Sequence, residues 1–317
     1  MKILKIDYNS DLFNTAVDIY NRVWPEYTES REELEHYDKN YDPKFYYQRF
    51  IVKHDNNYVA AGHVGEPWWS YKPGKLHFEL SVLKEFRTQG VGSFCLDYIE
   101  NILSERKGYK LNTHSKEDYK DGISFLENRG FKIVLREPGS KLNVNDFNLT
   151  NFQNVEEKLS SDGIVIKSLK ELQKIDQNWK QSLYELYAQI IKDVPNNDEL
   201  TERTFENFKK FKLEAPGYDP SAFFVALENG KYVGLSSLWI QTNKPKEYWT
   251  DLTGVLRDHR RKGIALALKV QTIRYVIESE GISIETDNEE SNPMFGINKL
   301  LGFKPLPAWL TYEKRYD

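Results

Sequence analysis

One segment is written twice in this chain, and few folds can use such a segment twice. Val82-Leu83-Lys84-Glu85-Phe86-Arg87-Thr88-Gln89-Gly90-Val91-Gly92 and Val255-Leu256-Arg257-Asp258-His259-Arg260-Arg261-Lys262-Gly263-Ile264-Ala265 share one layout: Val-Leu, an Arg five residues after the Val, and a Gly three further on. Arg87 and Arg260 lie 173 residues apart; Gly130-Phe131 returns as Gly302-Phe303 after 172, and Tyr58-Val59 as Tyr232-Val233 after 174. Three ordered landmarks at nearly one offset mark an internal duplication. The 317 residues give each copy about 150, enough to bury its own core.

The same order of elements is legible in both copies. In the first, alternation predicts a strand from Lys2 to Tyr8, and helical spacing predicts a helix from Leu12 to Trp24 with Ser10 as its N-cap. A helix near Arg31 to His36, a hairpin of Phe45 to Lys53 with Tyr58 to Val64, and a strand from Leu76 to Leu83 follow. Then come helix Gln89 to Glu105, strand Tyr109 to Thr113, helix Tyr119 to Asn128, and a strand from Phe131. The second copy predicts strand Ile164 to Ser168, helices Trp179 to Ile191 and Glu202 to Phe211, and a hairpin whose Asn229-Gly230 asks for a type I′ turn. Strand Tyr248 to Leu256, helix Arg261 to Glu280, strand Ile282 to Asp287, helix Asn292 to Leu301 and strands from Phe303 and near Trp309 complete it. The polar stretch Asn148 to Asp162 separates the copies.

Composition narrows the function. With 44 basic and 48 acidic residues the net charge is −4, so no field draws the chain to nucleic acid or to an anionic membrane. Cys95 is the one cysteine, and the six histidines show no His-x-x-x-His spacing, so the linear sequence predicts neither disulfides nor a metal site. Charges interrupt every apolar stretch, which leads us to expect a soluble, cytoplasmic protein.

A strand that ends in Val-Leu and enters a helix through Arg-x-x-Gly-x-Gly/Ala gathers unpaired N–H groups at a helix N-terminus, where the dipole favours an anion. Gly90 and Gly263 let the backbone close on a phosphate, and Gly92 or Ala265 keeps the next turn small. The candidate loop residues are Arg87, Gln89, Gly90, Val91, Gly92 and Ser93, with Arg260, Arg261, Lys262, Gly263, Ile264 and Ala265 in the second copy. The pattern is neither the Gly-x-Gly-x-x-Gly dinucleotide fingerprint nor a Gly-Lys-Ser/Thr loop.

Both segments resemble the coenzyme A pyrophosphate loop of the GNAT acyltransferase superfamily, and the likeness covers nearly the whole chain twice. The run from Thr286 through Asn292 to Gly302-Phe303 is similar to that family's closing motif. The resemblance implies a mixed α/β (α+β) chain of two such folds, each a central, mostly antiparallel sheet with splayed fourth and fifth strands, flanked by helices. It implies acetyl-CoA as co-substrate, with pantetheine held by backbone groups of Val255 and Leu256 and by Asn292, and with Val82 and Leu83 as the first copy's equivalents. The expected domains are 1–155, with a structural or non-catalytic coenzyme A site, and 160–317, which is catalytic.

Acetyl transfer to an amine requires that the ammonium lose a proton. On strand alternation, Thr253, Asp251 and Trp249 share the face of Val255, and in the family the proton acceptor commonly sits four or six residues before this valine. Asp251 is therefore the expected base, and Phe78 and Leu76, its first-copy counterparts, cannot take a proton. His77 and Glu79 lie on the opposite parity; a β-bulge would bring Glu79 round, and it is the reserve base. The family's tyrosine acid is replaced by Asn298 and Leu126, and Tyr312 could act only from the last strand. The expected activity is acetyl transfer to a primary amine of a small molecule. An acyl-CoA-binding sensor and a protein N-acetyltransferase are the alternatives. Neither acceptor nor oligomeric state is legible.

Overall fold

The computed structural model describes residues 1–289 and 291–316. In chain order the first elements are β1 (Lys2–Ile6), α1 (Phe13–Val23), α2 (Arg31–Asn40), β2 (Tyr47–His54), β3 (Asn57–Gly65), β4 (Lys75–Val82), α3 (Val91–Glu105), β5 (Lys110–Lys116) and α4 (Lys120–Glu127). They are followed by β6 (Lys132–Asn143), α5 (Asn154–Ser161), β7 (Ile164–Ser168), α6 (Leu169–Ile175), α7 (Trp179–Ile190) and α8 (Phe205–Phe208). The last are β8 (Phe223–Glu228), β9 (Lys231–Ile240), β10 (Glu247–Val255), α9 (Ile264–Glu278), β11 (Ser283–Asp287), α10 (Pro293–Leu300) and β12 (Lys304–Arg315).

The chain forms two compact units: Met1–Arg136 with Asn197–Thr201 and Trp309–Asp317, and Glu137–Asn196 with Glu202–Ala308. The units are thus not contiguous stretches of sequence. In the first, β1, β2, β3 and β4 pair antiparallel in turn, β5 runs parallel to β4, and residues 309–315 close the edge antiparallel to β5. In the second, β7, β8, β9 and β10 repeat that order, β11 runs parallel to β10, and residues 139–143 lie antiparallel to β11. Each sheet's last strand is therefore supplied by the other copy of the sequence.

Local chemistry explains most elements. Asn229 and Gly230 take φ of 51° and 79°, the two positive values that a type I′ turn requires. Val91, Cys95, Leu96, Ile99, Ile102 and Leu103 form one buried stripe on α3, each large member contributing about 1.5–3 kcal/mol by leaving water. Ser30 and Glu33 close a capping box on α2, and Ser168 and Glu171 close another on α6, a helix that the apolar periodicity does not reveal.

Several boundaries differ from expectation. Ser10 does not cap α1: its Oγ accepts from Leu12 N inside the preceding turn, and Leu12 occupies the cap position. The polar separator contains helix α5, held by buried Leu159. The helix expected at Glu202 to Phe211 is the single turn α8 followed by a π-helical turn over Lys209–Leu213. The strands expected from Phe303 and near Trp309 are one strand, β12.

Candidate active site

The two glycine loops adopt one backbone conformation. Thr88 and Gly90 have φ of 60° and 83°; Arg261 and Gly263 have 63° and 87°. Leu83 N donates to Val59 O at 3.0 Å and Leu256 N to Val233 O at 2.9 Å. Arg87 Nε donates to Val82 O at 3.2 Å and Arg260 Nε to Val255 O at 3.0 Å. These backbone groups, expected to meet pantetheine, are thus engaged in holding the loop. Residues that alternate in handedness turn successive N–H groups toward one concave side, the arrangement that binds phosphate oxygens at a helix N-terminus.

The space such an anion needs is present. A Cβ at Gly263 would meet no atom within 4 Å, and one at Gly90 only Met1 Cε at 3.9 Å. Val91 and Ile264, the first helical residues, are buried and anchor the loops to their cores. Gly92 is small because Phe125 Cε2 lies 2.9 Å from where its Cβ would stand. The residue matching Phe125 at the 172-residue offset is the smaller Ile297, and Ala265 takes the place of Gly92. Gln89 Nε2 donates to Glu85 O at 2.8 Å, and Ser93 Oγ accepts from Arg129. The residues present fit a diphosphate in both loops.

Above each loop the sheet parts. β4 and β5 pair only from Lys75↔Lys110 to His77↔Asn112, and β10 and β11 only from Glu247↔Ser283 to Trp249↔Glu285. In the first unit the wedge opens into a cavity of about 620 Å³. Val82, Arg87, Thr88, Gly90, Gly92 and Ser93 line it together with Glu79, His114, Tyr20, Trp24 and Trp309. No bulge interrupts β4. Glu79 sits at the margin where β4 leaves β5, so a side chain on the parity opposite Val82 still reaches the wedge.

Glu79 is surrounded by imidazoles. His63 lies directly across from it on β3, with Nδ1 4.0 Å from Oε2; His77 Nε2 and His114 Nε2 stand 3.9 and 3.7 Å from Oε1. Burial disfavours the charge on Glu79, but His63, His77 and His114 outweigh it and hold the carboxyl well below its ordinary range. Burial lowers His63 to about 4, and it lowers His114 too. Glu29 is pushed up to about 8 by burial and by the charge of Glu79. Aromatic rings wall the chamber, Trp309 against His114 at 5.2 Å and Trp24 stacked on Tyr119 at 4.4 Å, while Trp69 packs on His77 at 5.5 Å.

The second unit differs at the matching place. The register of β10 shifts between Thr250 and Leu252, so the bulge falls at Asp251 itself and breaks the simple alternation that aligned it with Val255. Asp251 Oδ1 accepts from Lys212 Nζ, and its Oδ2 accepts from Ser237 Oγ at 3.1 Å. Burial works against the Lys212 charge, yet Asp251 and Tyr187 raise it above its ordinary value. Acids also take up the cations around this loop: Arg257 and Arg260 pair with Asp193, and Lys262 and His259 with Glu228. A depression of about 720 Å³ beside the loop is lined by Arg261, Lys262, Gly263 and residues of α5, but by none of β10. Asn292 serves as N-cap of α10, accepting from Met294 N. Asn298 is buried and donates to Asn288, and Tyr312 is fully buried.

Sequence reasoning passed over His63, His77 and His114 as chemical groups. Their signal is a cross-strand one, because residues of β3 and β4 that face each other have numbers summing to a constant, and that constant depends on the intervening loop.

Two parted sheets of this build, each carrying an N–H nest between its fourth strand and following helix, define a transferase that draws on an acyl-coenzyme A. The acetyltransferase (GNAT) family model matches residues 13–131 and again 181–303, and the chain belongs to that family. It is an acetyltransferase with tandem domains. A tandem GNAT protein from the clavulanic acid biosynthesis pathway, solved without AcCoA, aligns over 99% of this chain and 98% of its own, with TM-score 0.76 and 16% identity. A GCN5-related N-acetyltransferase from Sphaerobacter thermophilus covers 99% and 95%, with TM-score 0.70 and 14% identity. Saccharomyces cerevisiae N-myristoyltransferase with bound myristoyl-CoA and inhibitors covers 100% and 80%, with TM-score 0.63 and 12% identity. At these identities the likeness establishes the fold. No curated protein sequence matches the chain. Among the described residues, no helix is long and apolar enough to cross a membrane.

Proposed function

We propose that the first unit transfers an acetyl group from acetyl-CoA to a primary amine of a small molecule, with Glu79 as the proton acceptor. One observation carries this reading: a single cavity is lined both by the phosphate-type loop at Thr88, Gly90 and Gly92 and by Glu79 and His114. Acetyl-CoA supplies the acyl group, which the acceptor nitrogen takes as the thiolate leaves. Trp24 and Trp309 line the chamber, and the Glu79 carboxylate draws the ammonium into it. The ammonium first gives a proton to Glu79 and its neighbouring imidazoles; the freed lone pair then attacks the carbonyl, and the second nitrogen proton goes to the departing thiolate as the C–S bond breaks.

Asp251, the base expected from the sequence, is engaged by Lys212 and Ser237, and the depression beside its own loop is lined by no residue of β10. We assign it a structural role, and we read the second loop as a coenzyme A-binding element without chemistry of its own. The test is thiol release from acetyl-CoA with a panel of small amines. Turnover that survives Glu79→Gln, with coenzyme A binding intact, rejects the assignment.

A further inference from the structure

The cluster that gathers around Glu79 has a second chemical competence. One ring nitrogen each of His63 and His77 and a Glu79 carboxylate oxygen lie within 4.8 Å of one another. They are presented by neighbouring strands: His63 and Glu79 are a direct cross-strand pair, and His77 precedes Glu79 by two residues on the same face of β4. His114 comes from β5, with Nε2 at 3.7 Å from Glu79 Oε1. Rigid strands fix such donors better than loops do.

We propose that His63, His77 and Glu79 bind one borderline divalent transition cation of the zinc class, and that its occupancy stops acyl transfer. Three protein donors of nitrogen and oxygen type suit zinc and leave a fourth position open. A tetrahedral ion with bonds of about 2.0–2.2 Å needs its donors roughly 3.4 Å apart. The pairs at 4.0 Å (His63 to Glu79) and 3.9 Å (His77 to Glu79) reach that spacing by small side-chain rotations, with no movement of the sheet. Trp69 packs on His77 and Trp309 on His114, which limits the rotation of both rings. The inhibitory half of the proposal rests on Glu79 being the proton acceptor, since a carboxylate whose lone pairs are committed to a cation cannot take a proton. The ion would also stand where the amine must approach.

The experiment uses the full chain, stripped with a chelator and titrated with cobalt(II), then with zinc as competitor. One equivalent of cobalt should develop the intense visible absorption of a four-coordinate ion, and zinc should abolish it. His77→Ala, and separately His63→Ala, should weaken binding by roughly 100-fold or more, since even loss of groups that only orient a ligand costs about 10–100-fold. Coenzyme A binding by each variant shows that it is folded, and His77→Asn or His63→Asn replaces the corresponding alanine variant if it fails this check. Absence of cobalt absorption, or affinity unchanged in both variants, overturns the site. Zinc should halt thiol release, and chelation should restore it. Stoichiometric zinc with undiminished release overturns the inhibitory half alone. A protein that binds zinc at these residues but releases no thiol in its metal-free form rejects the proposed function and leaves the metal site standing.

Discussion

The two glycine loops share a backbone to within a few degrees and share the Arg-to-carbonyl clasp, yet their surroundings have parted. In the first unit the loop opens into a cavity that ends on Glu79 and its imidazoles. In the second, Asp193 pairs with Arg257 and Arg260, Glu228 pairs with Lys262, and Lys212 occupies Asp251, the carboxylate expected from the sequence to act as base. Duplication has preserved the part of the site that depends on φ and ψ, where substitution is strained. The part that depends on a few side chains has diverged, because one new cation is enough to convert a base into half of a salt bridge.

The sharpest way to break this comparison is Gly90→Val against Gly263→Val. Both place a branched residue where φ exceeds 80°, at a cost of about 1–3 kcal/mol in stability. Turnover by thiol release should fall roughly 100-fold or more for Gly90→Val, because the thioester is misplaced by its diphosphate anchor, and stay within about twofold for Gly263→Val. Equal losses would show that both loops serve chemistry.

Next in size is the ion pair of the second unit. Lys212→Met leaves the largely buried Asp251 carboxylate without its cation and should cost about 2–3 kcal/mol in urea denaturation, the low end for a buried pair because both groups keep some exposure. The double variant Lys212→Met with Asp251→Leu should recover most of this. A Lys212→Met protein of unchanged stability and higher turnover would instead return catalysis to the second unit. The smallest effect concerns Cys95, whose thiol burial pushes up to about 12. Its alkylation by iodoacetamide should be negligible in the folded chain and rapid in denaturant. Fast native alkylation would mean that the α3 core opens readily.

The duplication, the order of strands and helices, and both loops were legible because each rests on short-range rules: alternation, helical spacing and glycine at positive φ. Asn229-Gly230 announced its turn, and Gly90 and Gly263 their left-handed conformation. What was not legible depends on long-range placement. The terminal strand segment Trp309–Arg315 pairs with β5, and Gly139–Asn143 pairs with β11, so the two copies trade their last strands; no local pattern encodes such a trade. The parity argument that favoured Asp251 assumed an unbroken β10, whereas the bulge lies at that residue. The same argument set Glu79 aside because it faces the other layer. The early parting of β4 from β5 opens that layer to the cavity. Lys212 is 39 residues from Asp251, and nothing in the spacing joins them.

The account stands on the first unit being the site of chemistry, and the most direct measurement is the turnover number of Glu79→Gln beside that of Asp251→Asn, both with saturating acetyl-CoA and an accepted amine. Removing a positioned general base costs typically 10²–10⁴-fold, so Glu79→Gln should drop by about that factor while Asp251→Asn stays within a few-fold of the unaltered chain. A Glu79→Gln enzyme that turns over normally beside an inactive but folded Asp251→Asn would contradict it.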